Sequence, residues 1–297
     1  MNGILLVDKP SGLTSHDVVD RIRRAAGMRR VGHTGTLDPA ATGLLILCLG
    51  PATRLSEFLT GLDKVYEGTM RLGLSTDSYD LDGKVLEEKP VPPVTAEQIQ
   101  GVFDSMTGTI MQIPPMVSAV KVGGERLYKM ARKGVVVERE PRPVTIREFS
   151  LLNLATPDIQ FRIRCTRGTY ARSLCYDVGE ILGCGATLAA LRRTFVGPHS
   201  VEAAKPVEFF QNAENVRSCL LNVDKALELP EITVRRISRP LVSSGGLLSP
   251  ADLTTECPVQ AGWVQIKSES GELLALAEVH LSCGQVRIQP KRVLCEK

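Results

Sequence analysis

The run from Leu44 to Leu49 is short, continuous and apolar. That is the pattern of a strand buried on both faces, and it predicts a strand over residues 42–49. Beyond it, residues 53–59 read as a helix and residues 65–74 as a strand that ends in the acidic turn Asp77 to Gly83. Val85 to Glu87 supplies a short return strand, and Pro90 to Pro93 a linker. Thr95-x-x-Gln98 has the form of a capping box, in which each side chain accepts the other residue's backbone N–H, and it opens a helix to about Met106. Pro114 and Pro115 then precede a strand through Val122, a Gly123-Gly124 turn and a basic helix to Lys133.

In Phe161-Arg162-Ile163-Arg164-Cys165 apolar and basic residues alternate with period two, which predicts a half-exposed strand with a positive outer face. Val216, Leu220, Val223 and Leu227 recur at three- and four-residue spacing and give the stretch up to Leu229 helical character. Residues 232–297 instead carry short alternating runs separated by Gly, Ser and Pro, as in a small β domain. Two units are expected, 1–230 and 231–297. The order of elements is mixed, with no repeated βαβ pattern and no internal repeat.

A length of 297 residues suffices for one large core plus a smaller domain. With 43% hydrophobic and 23% charged residues and no apolar run approaching a membrane span, a soluble protein is expected. Ile4 to Val7 is too short for a signal peptide, lacks a preceding basic residue and leads straight into Asp8 and Lys9, so the expected location is the cytoplasm. Eight cysteines without a C-x-x-C pair or regular spacing suggest neither a zinc site nor a disulfide framework. The net charge of +3 is uninformative by itself, but eight Lys or Arg against three Glu fall between Lys121 and Arg147. Phosphate binding needs such a concentration, although a solvated helix face would look the same. Aromatic content of 4% is too sparse for a platform that stacks long single strands, so any RNA recognition should rest on shape and backbone. Neither a P-loop nor a dinucleotide fingerprint occurs.

The chemistry is concentrated in Gly32-His33-Thr34-Gly35-Thr36-Leu37-Asp38-Pro39-Ala40-Ala41-Thr42-Gly43. Glycines there permit backbone angles closed to other residues, and Pro39 biases Asp38 away from the helical region. A lone carboxylate is thus presented on a loop anchored to a buried strand, a setting suited to nucleophilic work. An Asx-type turn, with the carboxylate accepting only backbone hydrogen bonds, fits the same residues.

The segment resembles the catalytic motif of the TruB family of tRNA pseudouridine synthases, and further motifs follow in family order. They are Asp8-Lys9-Pro10-Ser11-Gly12-Leu13-Thr14-Ser15, Gly50-Pro51-Ala52-Thr53-Arg54, Lys64-Val65-Tyr66 with Leu72-Gly73-Leu74-Ser75-Thr76-Asp77, Arg126-Leu127-Tyr128-Lys129-Met130-Ala131-Arg132, Gly168-Thr169-Tyr170-Ala171-Arg172, and Gly185-Ala186-Thr187-Leu188 leading to Leu191-Arg192-Arg193-Thr194. The likeness spans residues 3–197. It implies an α+β pseudouridine synthase fold, a mixed, largely antiparallel central sheet flanked by helices, followed by a small C-terminal PUA-like β domain whose last strand would include Gln289 to Val293.

The resemblance also implies roles. Asp38 is the nucleophile, Arg172 pairs with its carboxylate, and Tyr66 stacks on the target base and takes part in proton transfer. Tyr170 shapes the site, Leu191 packs on the other side of the base, and His33 enters the tRNA loop. Lys9, Arg54, Lys64, Arg126, Arg132 and Arg167 are candidate phosphate contacts; Arg54 stands where many members have lysine. By residue type alone, Tyr66, Tyr170 and Leu191 equally suit a core, Arg172 a surface and His33 a backbone cap.

Making pseudouridine breaks the N1–C1′ bond of a uridine, turns the base and joins C5 to the same carbon. No atom of the skeleton is gained or lost, so no cofactor is expected. The expected substrate is the T-arm of tRNA, its uridine 55 extruded from the loop, and the expected enzyme is a monomer with no obligate protein partner and no membrane. An RNA-guided box H/ACA-type synthase is the alternative of the same fold, and a non-catalytic RNA-binding or RNA-folding protein the alternative of another class. A glycoside hydrolase would need a second partnered carboxylate, which no motif supplies.

Overall fold

The computed structural model describes the chain except residues 119, 128, 129, 131–133, 136, 228, 257–259, 283, 284 and 295–297 and the side chains of 121, 122, 126 and 225. The first strands are β1 (Gly3–Lys9), β2 (Val31–His33), β3 (Thr42–Leu49), β4 (Lys64–Leu72), β5 (Leu74–Thr76), β6 (Val85–Glu88) and β7 (Gly108–Gln112). They continue with the short β8 (Lys121–Val122) and β9 (Glu125–Arg126), then β10 (Arg142–Ala155), β11 (Asp158–Cys165), β12 (Ala186–Val196), β13 (His199–Ser200) and β14 (Lys205–Pro206). The larger sheet runs β14-β1-β3-β12-β4-β11-β10-β7, with β2 added to β3 and β13 to β12. Only β1 with β14 and β3 with β12 pair in parallel, so the sheet is mixed and largely antiparallel.

Leu44 to Leu49 are all fully buried, because β3 is covered on both faces. On one side Leu45, Leu47 and Leu49 meet Val18, Val19 and Ile22 of helix α1 (Ser15–Ala26); on the other Leu44, Ile46 and Cys48 meet Leu55, Leu59 and Val223. After helix α2 (Ser56–Gly61), α3 (Ala96–Ser105) opens on the Thr95–Gln98 capping box. It packs Ile99 and Phe103 with α4 (Ala171–Leu182) over the β4, β10 and β11 half of the sheet.

Four strands, β15 (Glu231–Thr233), β16 (Gly262–Lys267), β17 (Leu273–Ser282) and β18 (Gln285–Val293), make a separate sheet with its own core. Leu276 and Leu294 of this region enter the cluster beneath β1 and β3.

Several expected elements differ. Residues 50–55 form a 3-10 turn ahead of α2, since Pro51 follows Gly50 at φ +61° and delays regular helix. The strand read as ending at Leu74 breaks at Gly73 (φ +79°), and the remainder pairs with Val85–Glu88. The Gly123-Gly124 turn joins two antiparallel strands, and the core of the basic helix expected to reach Lys133 lies outside the described residues. The periodic stretch at 216–227 is a short helix to Ser218 and a 3-10 turn at Asp224–Ala226, with Leu221 instead bridging backbone to Ile4.

The two halves of the larger sheet meet at a short seam: β3 and β12 pair only at Thr42 with Arg192 and Gly43 with Arg193. A Cβ on Gly43 (φ +102°) would stand 2.3 Å from the Arg193 carbonyl oxygen, so the seam closes only with glycine. Helix α4 approaches β12 as closely through Gly179, where a Cβ would lie 2.0 Å from the backbone nitrogen of Ala186. Helix propensity alone favours Gly→Ala by about 1 kcal/mol, but the clash with backbone outweighs it. Gly179→Ala should therefore destabilise the protein by about 2–3 kcal/mol, read as a lower midpoint in thermal or urea unfolding.

Candidate active site

The residues on either side of Asp38 are fixed by the N-terminal strand and helix. Ser15, buried at the start of α1, both receives the Leu37 backbone N–H (2.8 Å) and donates to the Leu37 carbonyl (3.1 Å). On the other side the Pro39 carbonyl accepts from Gly12 N–H (2.9 Å) and Lys9 Nζ (3.1 Å). The segment from Lys9 to Ser15 is therefore the cradle of the Asp38 loop. Asp38 itself stays 44% exposed, facing a cavity.

Arg172, one residue into α4, is the opposite case: its side chain is 4% exposed. Nη2 lies 3.0 Å from Asp38 Oδ2 and donates to the Val117 carbonyl (2.8 Å), while Nη1 lies 3.4 Å from Asp80 Oδ2 and donates to the Ser78 carbonyl (3.2 Å). Two carboxylates and two carbonyls compensate the buried cation, as a buried charge requires. Burial raises the Asp80 carboxyl above the ordinary range, and its hydrogen bond from Ser78 and the Arg172 charge oppose the rise. The turn that carries Asp80 holds Tyr79 at φ +65°, a left-handed angle that costs about 1–2 kcal/mol for a non-glycine residue. The Tyr79 ring stacks on Tyr176 of α4 with centroids 4.3 Å apart, an interaction that contributes about 0.5–1.5 kcal/mol.

The cavity, about 420 Å³, lies at the sheet seam and has the size of a small-ligand pocket. Asp38, Tyr66, Tyr170, Arg172, Leu191, His33, Lys64 and Arg167 all line it, so the structure brings together eight residues singled out from the sequence. Tyr66 and Tyr170 have hydroxyl pKa values raised by burial, which keeps both phenols neutral near pH 7. His33 accepts the Gly35 N–H at Nδ1 (3.3 Å), leaving the neutral ring's proton on Nε2, and burial lowers its pKa. It therefore caps backbone and lines the cavity at once.

Two residues of the site were missed from sequence. Asp80 sits in a turn with no motif of its own. Arg193 follows Leu191 by two along β12, so strand alternation places both on one face, and that signal was available. It is 2% exposed and stands opposite Tyr66 in the β4–β12 register. Its guanidinium donates to the carbonyls of Leu44 (2.7 Å), Gly35 (3.1 Å) and Thr36 (3.5 Å). Arg193 makes no ion pair among the described residues; backbone carbonyls take its donors where it lines the cavity. Among the described residues no group of three or more His, Cys, Asp or Glu could hold a metal, and no helix is long and apolar enough to cross a membrane.

The candidate phosphate contacts divide. Lys9 is fully buried, and its ammonium is consumed by the carbonyls of Pro10 (2.9 Å), Leu13 (2.7 Å) and Pro39 (3.1 Å), so it cannot meet phosphate; burial pulls its pKa down to about 8. Lys64 is 5% exposed and turned inward, donating to the carbonyls of Thr60 and Leu62, so it is a cavity wall residue and not a surface contact. Arg167 is exposed at the rim, and exposed Arg54 donates to the Val293 carbonyl (2.8 Å) of the second sheet. The Arg126 side chain and Arg132 lie outside the described residues. Lys9→Met would leave the inward carbonyls of Pro10 and Leu13 without a donor and the Pro39 carbonyl with the Gly12 N–H alone. It should cost about 2–4 kcal/mol of stability, read by urea unfolding, while the salt dependence of RNA binding stays at the wild-type slope.

Residues 23–171 match the TruB family pseudouridylate synthase N-terminal domain, and residues 172–228 the tRNA pseudouridylate synthase B C-terminal domain. The chain is 51% identical over 237 residues to the tRNA pseudouridine synthase B of Opitutus terrae, covering 80% of this chain and 92% of that protein. It is 44% identical over 306 residues to the same enzyme of Moorella thermoacetica, covering 98% and 99%. Among solved structures, a Cbf5-Nop10-Gar1 complex contains a chain that superposes with TM-score 0.76 at 27% identity, covering 99% of this chain and 85% of that one. A matching family domain over half the chain and relatives alike over nearly their whole length agree with the sheet and cavity described above: the chain belongs to the TruB family of pseudouridylate synthases.

Proposed function

We propose that this chain isomerises the T-loop uridine at position 55 of tRNA to pseudouridine, with Asp38 as nucleophile. The observation that carries the reading is a half-exposed carboxylate held by a buried guanidinium at 3.0 Å on the wall of a cavity the size of a nucleoside. Arg172 holds that carboxylate in place at 3.0 Å, while Asp80 and two carbonyls balance the arginine from behind. Tyr66 and Leu191 form two walls between which a detached uracil can turn without loss to solvent. The neutral Tyr66 phenol is available for proton transfer. Arg193, opposite Tyr66 and without a described acidic partner, supplies positive potential where negative charge develops on the released base. As C5 joins C1′ it loses its proton, and N1, freed when the N1–C1′ bond broke, takes one up, so the isomerisation is proton-neutral overall.

His33 lies on the cavity wall, placed to fill the gap left by an extruded nucleotide. Arg167 at the rim and Arg54 at the surface are proposed backbone contacts, and so, from the sequence alone, are Arg126 and Arg132. The sheet of residues 231–293 is proposed to be a PUA-like RNA-binding domain, and Arg54, bonded to its last strand, joins it to the synthase unit at residues 1–230. The enzyme is proposed to act on bare tRNA in the cytoplasm as a monomer, without guide RNA or protein partner, which separates it from a box H/ACA-type synthase.

Asp38→Asn keeps size and removes the charged nucleophile. Tritium release from C5-labelled uridine in purified tRNA should be robust for the wild-type chain alone and fall more than about a thousandfold in the variant, with tRNA affinity retained. Release that persists in Asp38→Asn removes this residue from the nucleophilic role. Release that requires an added guide RNA assigns the chain to the guided class.

A further inference from the structure

The geometry points to Tyr176 as a positioning residue of the reaction, acting through Tyr79 on the carboxylate of Asp80. This inference rests on the proposed isomerisation only for its kinetic readout.

Arg172 and Tyr176 are four residues apart on α4, so they stand on one face, one turn above the other. Both grip the same turn. Arg172 takes the Ser78 carbonyl and Asp80 Oδ2, and Tyr176 stacks on the ring of Tyr79 between them. Oδ1 of Asp80 is occupied by Ser78 Oγ and by the Asp82 N–H (3.2 Å), which leaves Oδ2 to face Arg172. That orientation depends on the backbone entering Asp80 from a left-handed Tyr79.

Nothing in the Tyr79 side chain favours that angle, and glycine would be the ordinary occupant. Backbone bonds tie the turn to β12, from Leu188 N–H to the Tyr79 carbonyl (3.0 Å) and from Leu81 N–H to the Leu188 carbonyl (3.2 Å). They fix where the turn lies. The ring stack, of the same size as the strain, holds Tyr79 in its unfavourable angle. Loss of the Tyr176 ring lets Tyr79 relax to negative φ and turns Oδ2 of Asp80 away from Arg172. The guanidinium then keeps Asp38 as its one acidic partner, and the Asp38 carboxylate is drawn from its place.

The test compares Tyr176→Ala, Tyr176→Phe and the double variant Tyr79→Gly/Tyr176→Ala. Tyr176→Ala should lower kcat roughly tenfold with KM for tRNA unchanged. Phenylalanine preserves the stack and should restore the wild-type value. Glycine in place of Tyr79 adopts positive φ without strain, so the double variant should recover most of the lost kcat, which a general weakening of α4 would not allow. A crystal structure of Tyr176→Ala reads the same device without activity: residue 79 should move to negative φ and Asp80 Oδ2 should leave Arg172. A wild-type kcat in Tyr176→Ala, no rescue by Tyr176→Phe or by the double variant, or an unmoved Asp80 overturns the inference. So does a raised KM at constant kcat, which would make the two rings a stacking surface for RNA. Inactivity of the wild-type chain on tRNA would sink the functional reading instead, and the crystal structure would still decide this one.

Discussion

The active site is organised by the requirement that a guanidinium removed from water be fully compensated. Arg172 is almost completely buried, and its acceptors come from three separate parts of the chain: Asp38 from the loop before β3, Ser78 and Asp80 from the turn after β5, and Val117 from the segment that follows β7. An unpaired charge at that depth would cost several kcal/mol, so the fold must bring these segments to one point. What it obtains in return is a carboxylate whose position is set by the interior while its free oxygen faces a cavity.

The surrounding structure serves that convergence. Helix α4 can begin at the cavity because Gly179 lets it lie directly on β12, and its first turn also holds the segment before Val117, through Ser173 to the Ile113 carbonyl and through the paired hydrogen bonds of Tyr170 with Gln112. The opposite wall is held by Arg193, which fastens the loop at Gly35, Thr36 and Leu44, and by Lys9 and Ser15, which fasten Pro39 and Leu37. The cations Arg172, Arg193, Lys64 and Arg167 thus line the cavity beside the Asp38 carboxylate, a positive excess suited to a nucleic-acid substrate.

Much of this was legible in the sequence. A buried strand at 42–49, the capping box at Thr95 and the alternation at Phe161 to Cys165 are short-range patterns, and local periodicity reports them faithfully. The chemistry-bearing loop was legible because Gly, Pro and Asp have few other uses in that order. What escaped was decided by contacts distant in sequence. Lys9 looks like a surface cation, yet its role is set by carbonyls at 10, 13 and 39 that close around it only in the fold. Asp80 becomes part of the site only because α4 crosses its turn. The apolar residues from Val216 to Leu227 have helical spacing but face two different clusters, Val216 beside α1 and Val223 and Leu227 beneath β3, and the chain breaks between them.

The most direct test of this account is the single-turnover rate of Arg172→Lys on tRNA labelled with tritium at C5 of uridine, measured beside its tRNA dissociation constant. An ammonium keeps the charge but cannot span acceptors arranged for two guanidinium nitrogens. The rate should fall at least about a hundredfold with affinity within about threefold of wild type. A wild-type rate in Arg172→Lys would show that positive charge alone suffices and that the convergence on Arg172 is not what prepares Asp38 for reaction.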